Sequence, residues 1–228
     1  NVSIEIKKGE KVAIVGSSGS GKSTLSKLLI GLFPASSGSI LFDDLDYNLL
    51  DKQYLRQQIG IVPQDMTLFN KTIHENIAGD ISVSEEEMTK ICKLVNIHDE
   101  IMEMPMGYNT LVSEMGMNLS GGQRQRIILA RALVKKPKII LLDEATSYLD
   151  NVNEKEIMQK FKEQNITIIV IAHRLSTIID SNQIFVMDKG EIQQMGTHEE
   201  LIHQEGPYRD IYEIQMNSDI RLMEEGAV

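Results

Sequence analysis

The sequence predicts an α/β fold: a mostly parallel sheet, an inserted α-helical block and a small antiparallel β part near the N-terminus. Three observations carry this. Short, nearly continuous apolar runs alternate with segments of helical periodicity, as expected of strands buried on both faces. A glycine- and serine-rich stretch, GSSGSGKST at 16–24, separates the first of these strands from the first helix. From about 72 to 136 the strand pattern stops and helical spacing takes over.

The elements follow in order. KVAIV at 11–15 is a β-branched run that ends at glycine, and KSTLSKLLIGL then places Leu25, Leu28, Leu29 and Leu32 at helical spacing. SGSILFDD at 37–44 and QIGIVPQ at 58–64 read as two strands bounded by turn formers or proline. SEEEMTKICKLVNIHDEIM reads as a helix, with Ser84 as its cap, Glu85 to Glu87 in an acidic first turn, and Met88, Ile91, Leu94 and Val95 on the apolar face. GGQRQRIILARALVKK repeats the helical pattern. After Pro137 the strands return as KIILLDE, ITIIVIAH and QIFVMDKGEIQQMG, with a helical NEKEIMQKFKEQ between the first two and a helical EELIHQEGPYRDIYEIQ as the tail.

Composition narrows the function classes. With 228 residues, 42% hydrophobic and 25% charged, the chain is long enough for one large domain or two small ones and has the makeup of a globular protein. A net charge of −10 disfavours a surface that binds nucleic acid by broad phosphate neutralisation. The single cysteine, Cys92, has no internal disulfide partner and reads as a packing residue in a reducing compartment. No apolar run approaches the roughly 20 residues that cross a bilayer. The start at Asn1, without methionine or a charged-then-apolar leader, reads as an excerpt of something longer.

GSSGSGKST has two readings, a solvated linker or a rigid phosphate cradle. It satisfies G-x-x-x-x-G-K-[ST] through Gly16, Gly21, Lys22 and Ser23, and it lies between a strand and a helix as that motif requires, which favours the cradle. Residue usage alone would produce the pattern in about one chain in a hundred of this length. Glycines let successive amides point at phosphate oxygens, and the helix that follows presents its positive end to them. Lys22 would reach the β- and γ-phosphates and Ser23 would hold Mg²⁺, within a cradle of Gly16, Ser17, Ser18, Gly19, Ser20, Gly21, Lys22, Ser23 and Thr24. The motif resembles that of P-loop NTPases, and a core of that type is expected.

KIILLDE runs from an apolar strand into two carboxylates. Alone this is a strand ending in a solvated turn. Beside a phosphate loop, an acid at the end of a neighbouring strand is where a Mg²⁺ shell needs oxygen, so Asp143 is a metal ligand candidate. Glu144 would then polarise the attacking water. LSGGQRQR at 119–126 is a second serine-glycine cluster before a helix; read blandly it is a cap, yet LSGGQ arises by chance in fewer than about one chain in a thousand.

With GSSGSGKST, LSGGQ and ILLDEATSYLD in this order, essentially the whole chain resembles the nucleotide-binding domain of an ABC transporter. The resemblance implies a single ATPase domain over 1–228, with a P-loop core from 1–71 and 137–228 and a helical signature subdomain from 72–136. It implies ATP and Mg²⁺ as cofactors, and two copies stacked head to tail, each ATP held between the phosphate loop of one and the Ser120, Gly121, Gly122 and Gln123 of the other. By the same resemblance Gln64 in IVPQD is the Q-loop glutamine that contacts Mg²⁺, His173 in IAHRLST is the switch histidine on the γ-phosphate, and Asp150 in SYLD is the D-loop aspartate that crosses the dimer seam. Catalytic roles then fall to Glu144, His173, Gln64 and Lys22, and metal binding to Ser23, Gln64 and Asp143.

Tyr148 departs from the family, which usually carries a small residue there; a ring beside the seam is expected to alter dimer packing or communication. The family's adenine-stacking aromatic residue lies upstream of Asn1, so weak nucleotide binding is expected, by about five- to a hundredfold for a stacking contact of roughly 1–3 kcal/mol. TLFNKTIHENIA at 67–78, Glu114 and Gly116 in SEMGMNLSGGQ, and GTHEEL at 196–201 resemble exporters, and MPMGYNTLVSEMG resembles those of bacteriocins and other peptides. The implied partners are a second nucleotide-binding domain and a transmembrane domain, with no nucleic acid, and the implied location is the cytoplasmic face of the cell membrane.

Met102, Met104, Met106, Met115 and Met117 read as gap-fillers rather than a soft metal site, and His74, His98, His198 and His203 share no ligand spacing. Two other functions remain in view: a soluble ABC-type ATPase acting on DNA or ribosomes, disfavoured by the acidic balance and the lack of a coiled-coil insertion, and a non-hydrolysing regulatory module, disfavoured by the presence of Glu144 and His173.

Overall fold

The structure is a computed structural model that describes residues 2–225 apart from Met66, Glu144 and His173, with side chains described as far as residue 216. In chain order the elements are β1 (Lys11–Gly16), α1 (Lys22–Leu29), β2 (Leu41–Phe42), β3 (Leu45–Asp46), α2 (Lys52–Gln58), β4 (Ile59–Val62), α3 (Ile73–Ala78), α4 (Glu85–Leu94), α5 (His98–Glu103) and α6 (Gly121–Leu133). They continue with β5 (Ile139–Asp143), α7 (Asn151–Glu163), β6 (Thr167–Ile171), α8 (Leu175–Ile178), β7 (Gln183–Asp188), β8 (Glu191–Gly196), α9 (His198–Ile202) and α10 (Pro207–Glu225).

A six-stranded sheet in the order β4-β5-β6-β1-β7-β8 forms the centre. All its neighbours are parallel except β7 and β8. Alternation along β1 divides the core between the two faces: Ala13 and Val15 join one cluster with residues of α3, α4, α6 and α7, while Val12 and Ile14 join the other with Leu25, Tyr47 and Leu55. Because both faces are covered, the central strands are apolar throughout, which is why they were legible as runs.

The expected single strand over 37–44 is instead a two-residue hairpin, β2 against β3. Asp43 and Asp44 take φ of 48° and 65°, so the chain reverses where the extended reading continued. It supplies the small antiparallel part expected near the N-terminus. The single helix expected from Ser84 to about Met102 is two, α4 and α5. Asn96 sits at φ 55° after the last turn of α4, with Ile97 N bonded to Cys92 O at 2.9 Å and Asn96 N to Lys93 O at 3.3 Å, a Schellman stop. Asn165 ends α7 in the same way, with Ile166 N on Phe161 O.

Ser84 does cap α4, and Glu85 to Glu87 occupy its first turn. Cys92 is buried against α6, and burial pushes its thiol up to about 11, so it stays protonated and packs. The methionine reading needs correction, because Met102, Met106, Met115 and Met117 are exposed; only Met104 packs against the core. Among the described residues, no helix is long and apolar enough to cross a membrane.

Candidate functional site

Parallel topology gathers the carboxyl ends of β4, β5, β6, β1 and β7 on one edge, where ligands of open α/β sheets bind. Gly16 ends β1 in contact that only glycine allows: a Cβ there would lie 2.2 Å from Met187 O of β7. The loop then turns through Gly19 and Gly21 at φ 79° and 105° and enters α1. The first bonds into α1 run from Thr24 N and Leu25 N to Gly21 O. The amides ahead of them are those that helix geometry leaves without an intrahelical acceptor.

Lys22 is 6% exposed, and its ammonium donates to Gly16 O at 2.8 Å and Ser17 O at 2.9 Å, with Ser20 Oγ at 3.5 Å. The charge is therefore held at the centre of the loop by its own carbonyls. Gly190, in the turn between β7 and β8, donates its amide to Ser20 O at 2.9 Å and braces the loop from the far side. A flexible linker would show neither contact.

Asp143 ends β5, half-buried, and Gln64 lies in an exposed bend two residues past β4. The expectation that Asp143 stands on the strand next to the phosphate loop is corrected by the sheet order: β6 lies between β5 and β1, with Ile171 paired to both Asp143 and Ile14. Two strand spacings, roughly 9–10 Å, separate Asp143 from β1. Glu144 and His173 lie outside the described residues; Asp143, immediately before the first, pairs with Ile171, two positions before the second.

The donors fit the groups in question. Ser23 and Asp143 offer oxygen and Gln64 an amide oxygen, the donor a hard cation such as Mg²⁺ prefers, and they lie on one sheet edge with the glycine-rich loop. Among the described residues no three His, Cys, Asp or Glu converge into a metal-holding cluster.

The second cluster is a helix start with a full capping box. Ser120 Oγ accepts from Gln123 N at 3.1 Å, and Gln123 Oε1 accepts from Ser120 N at 2.9 Å. Two residues here, Glu100 and Gln125, carry no motif role and were missed in the sequence. Glu100 of α5 accepts from Gln123 Nε2 at 3.0 Å and pairs with Arg126 at 2.7 Å, tying α6 to α5. Gln125, fully buried, accepts from Tyr148 N at 3.0 Å. Tyr148, 58% exposed, lays its ring on Gly121, where a Cβ would fall 2.7 Å from Cδ1. The unusual ring thus covers the glycine turn of its own chain. No local signal could reveal a contact made across 27 positions, but the need for glycine at 121 acquires a cause.

This contact makes a double substitution informative. Gly121→Ala is expected to cost about 1–3 kcal/mol by overpacking, and Tyr148→Ala in the same chain to restore most of that; urea denaturation of the four chains checks it, additive losses counting against the contact. Asp150 caps α7, accepting from the amides of Val152 and Asn153 and from Asn153 Nδ2, and these bonds, Asn153 first, hold its carboxyl below the usual range.

Comparison with known proteins agrees with this geometry. Residues 1–147 match the family model described as ABC transporter. The chain is 50% identical over 221 residues to Leukotoxin translocation ATP-binding protein LktB of Mannheimia glucosida, covering 95% of this chain and 31% of that protein. It is 48% identical to Heavy metal tolerance factor 1 of Caenorhabditis elegans, covering 95% and 27%. Among solved structures, a bacterial Atm1-family ABC exporter with ATP bound superposes with a TM-score of 0.89 at 44% identity, over 94% of this chain and 38% of that one. The chain spans about a third of the length of the curated relatives it matches.

Proposed function

Because the chain belongs to the ABC transporter family, we propose that it is the ATP-hydrolysing motor domain of an exporter, working as a head-to-tail pair attached to membrane segments. The observation that carries this reading is the Lys22 ammonium held between Gly16 O and Ser17 O inside a glycine-built turn. The same charge can be passed to a phosphate chain with little rearrangement. Bound Mg²⁺ would supply charge neutralisation at the β- and γ-oxygens.

The chain's own groups divide the rest of the work. The loop from Gly16 to Thr24 orients the triphosphate, Ser23, Gln64 and Asp143 offer oxygens to the cation, and Glu144 and His173 act on the attacking water and the γ-phosphate. Ser120 to Gln123, preset by their capping box, present the start of α6 to a nucleotide carried by the second copy. We place residues 72–136 as the signature subdomain and the remainder as the core, at the cytoplasmic face of a membrane. Two of the relatives bear names that speak of leukotoxin translocation and heavy metal tolerance, and an exported cargo, a peptide among the candidates, fits this reading.

Mixing two crippled chains tests the head-to-tail arrangement. A chain with Lys22→Ala lacks a working phosphate loop, and one with Gly122→Asp sets an acid before the second anion site. Each alone is expected to show no ATP turnover, whereas the mixture regains one intact site per mixed pair. A mixture as silent as its components would sink the shared-site reading.

A further inference from the structure

Three buried polar side chains, Thr146, Thr177 and Glu154, line up outside the site and end on an acid. Glu154, in the first turn of α7, is 3% exposed, and glutamate is rarely so buried without a partner. Its Oε1 accepts from Thr177 Oγ1 of α8 at 2.5 Å, while its Oε2 meets no donor among the described residues. Thr177 Oγ1 lies 3.4 Å from Thr146 Oγ1. Since the Thr177 hydroxyl spends its one proton on the carboxylate, it must accept from Thr146, and the chain of bonds has a single direction from Thr146 to Glu154. Arg174 Nη1 grips the same stretch through its backbone, donating to Thr146 O and Leu149 O at 3.2 Å each.

Packing alone does not account for this. A buried oxygen without a donor is a cost that an apolar side chain would avoid. What the acid does is orient Thr177, and through it Thr146. Both hydroxyls stand in segments that carry chemistry: Thr146 follows Asp143 and Glu144 by three and two positions, and Thr177 follows His173 by four. Side chain and carbonyl of Thr146 are thus both held by residues 174–177.

We propose that Thr177, oriented by Glu154, is a positioning residue that locks the segment after β5 to the segment after β6, so that the groups acting on the γ-phosphate keep one relative placement. The proposal rests on the ATPase reading above for its catalytic consequence, but the lock itself is present in the fold without nucleotide. Its effect runs through neighbouring residues and not through contact with substrate.

Thr177→Val removes the hydroxyl at constant shape, and Thr177→Ser keeps it. The valine chain is expected to lose about tenfold or more in kcat, as misplacement of reacting groups does, with KM for ATP changed less than about twofold and the serine chain near the parent. Amide exchange of residues 145–150 in the nucleotide-free chain is expected to quicken about fivefold or more in the valine chain, with α6 unaffected. A folded valine chain with parental kcat and parental exchange overturns the lock. If the valine chain fails to fold, Thr146→Val severs the same relay at its other end and is read identically. A parent that hydrolyses no ATP counts against the ATPase reading instead, and the exchange measurement then decides the lock alone.

Discussion

Replacing Glu144 with glutamine is expected to reduce ATP turnover by about 10²–10⁴-fold, the range a positioned general base supplies, while leaving ATP binding intact. The amide keeps the shape of the side chain and its bonding reach but cannot take a proton from water. With hydrolysis blocked and both anion sites functional, ATP should accumulate in closed pairs, so size-exclusion chromatography with and without ATP gives the second half of the result. A glutamine chain that hydrolyses ATP at the parental rate removes Glu144 from the mechanism. One that is inactive yet stays monomeric with ATP shows that turnover and pairing were lost together, which a missing base alone does not explain.

Lys22→Ala should strike earlier, at binding. The ammonium bonds Gly16 O and Ser17 O, so its removal deprives the loop of its internal brace as well as the phosphates of a charge. Charge-assisted bonds of this kind contribute about 1.5–3 kcal/mol each, and one of them lost corresponds to roughly 10- to 150-fold in affinity. Calorimetric titration with ATP measures it. Lys22→Arg separates the two roles: it keeps the charge, but the larger planar guanidinium does not fit between two carbonyls under 3 Å away. Affinity close to the parental value in the alanine chain would reduce the loop to a structural turn.

Much of this site could be read from the chain because its chemistry is local. A phosphate loop needs glycines at fixed offsets and a lysine at the helix start, and those requirements are written in consecutive residues. Strands buried on both faces leave apolar runs for the same reason. Strand order leaves no such trace: nothing in ITIIVIAH says that it lies between β5 and β1, because that is decided by how the helices pack across the faces. Asn96 could have been read as a stop, since asparagine tolerates the left-handed turn that ends α4. Glu154 could not, because in sequence it is one more acid in a favourable first helical turn, and only the fold carries it inward against Thr177. The packing of Tyr148 on Gly121 is likewise a product of the tertiary structure.

Gln125 is the one fully buried amide side chain on α6, and it bonds the backbone of Tyr148 about 7–8 Å along the helix axis from Ser120. That distance is a lever arm, and the amide is its pivot. A tilt of about 10° around it sweeps the Ser120 end through an arc of roughly 1.3 Å, comparable to the difference between a made and a broken hydrogen bond. Re-aiming the glycine turn therefore asks very little travel of the helical block, and α5 holds the same helix on either side of the pivot, through Glu100 on Gln123 and Arg126.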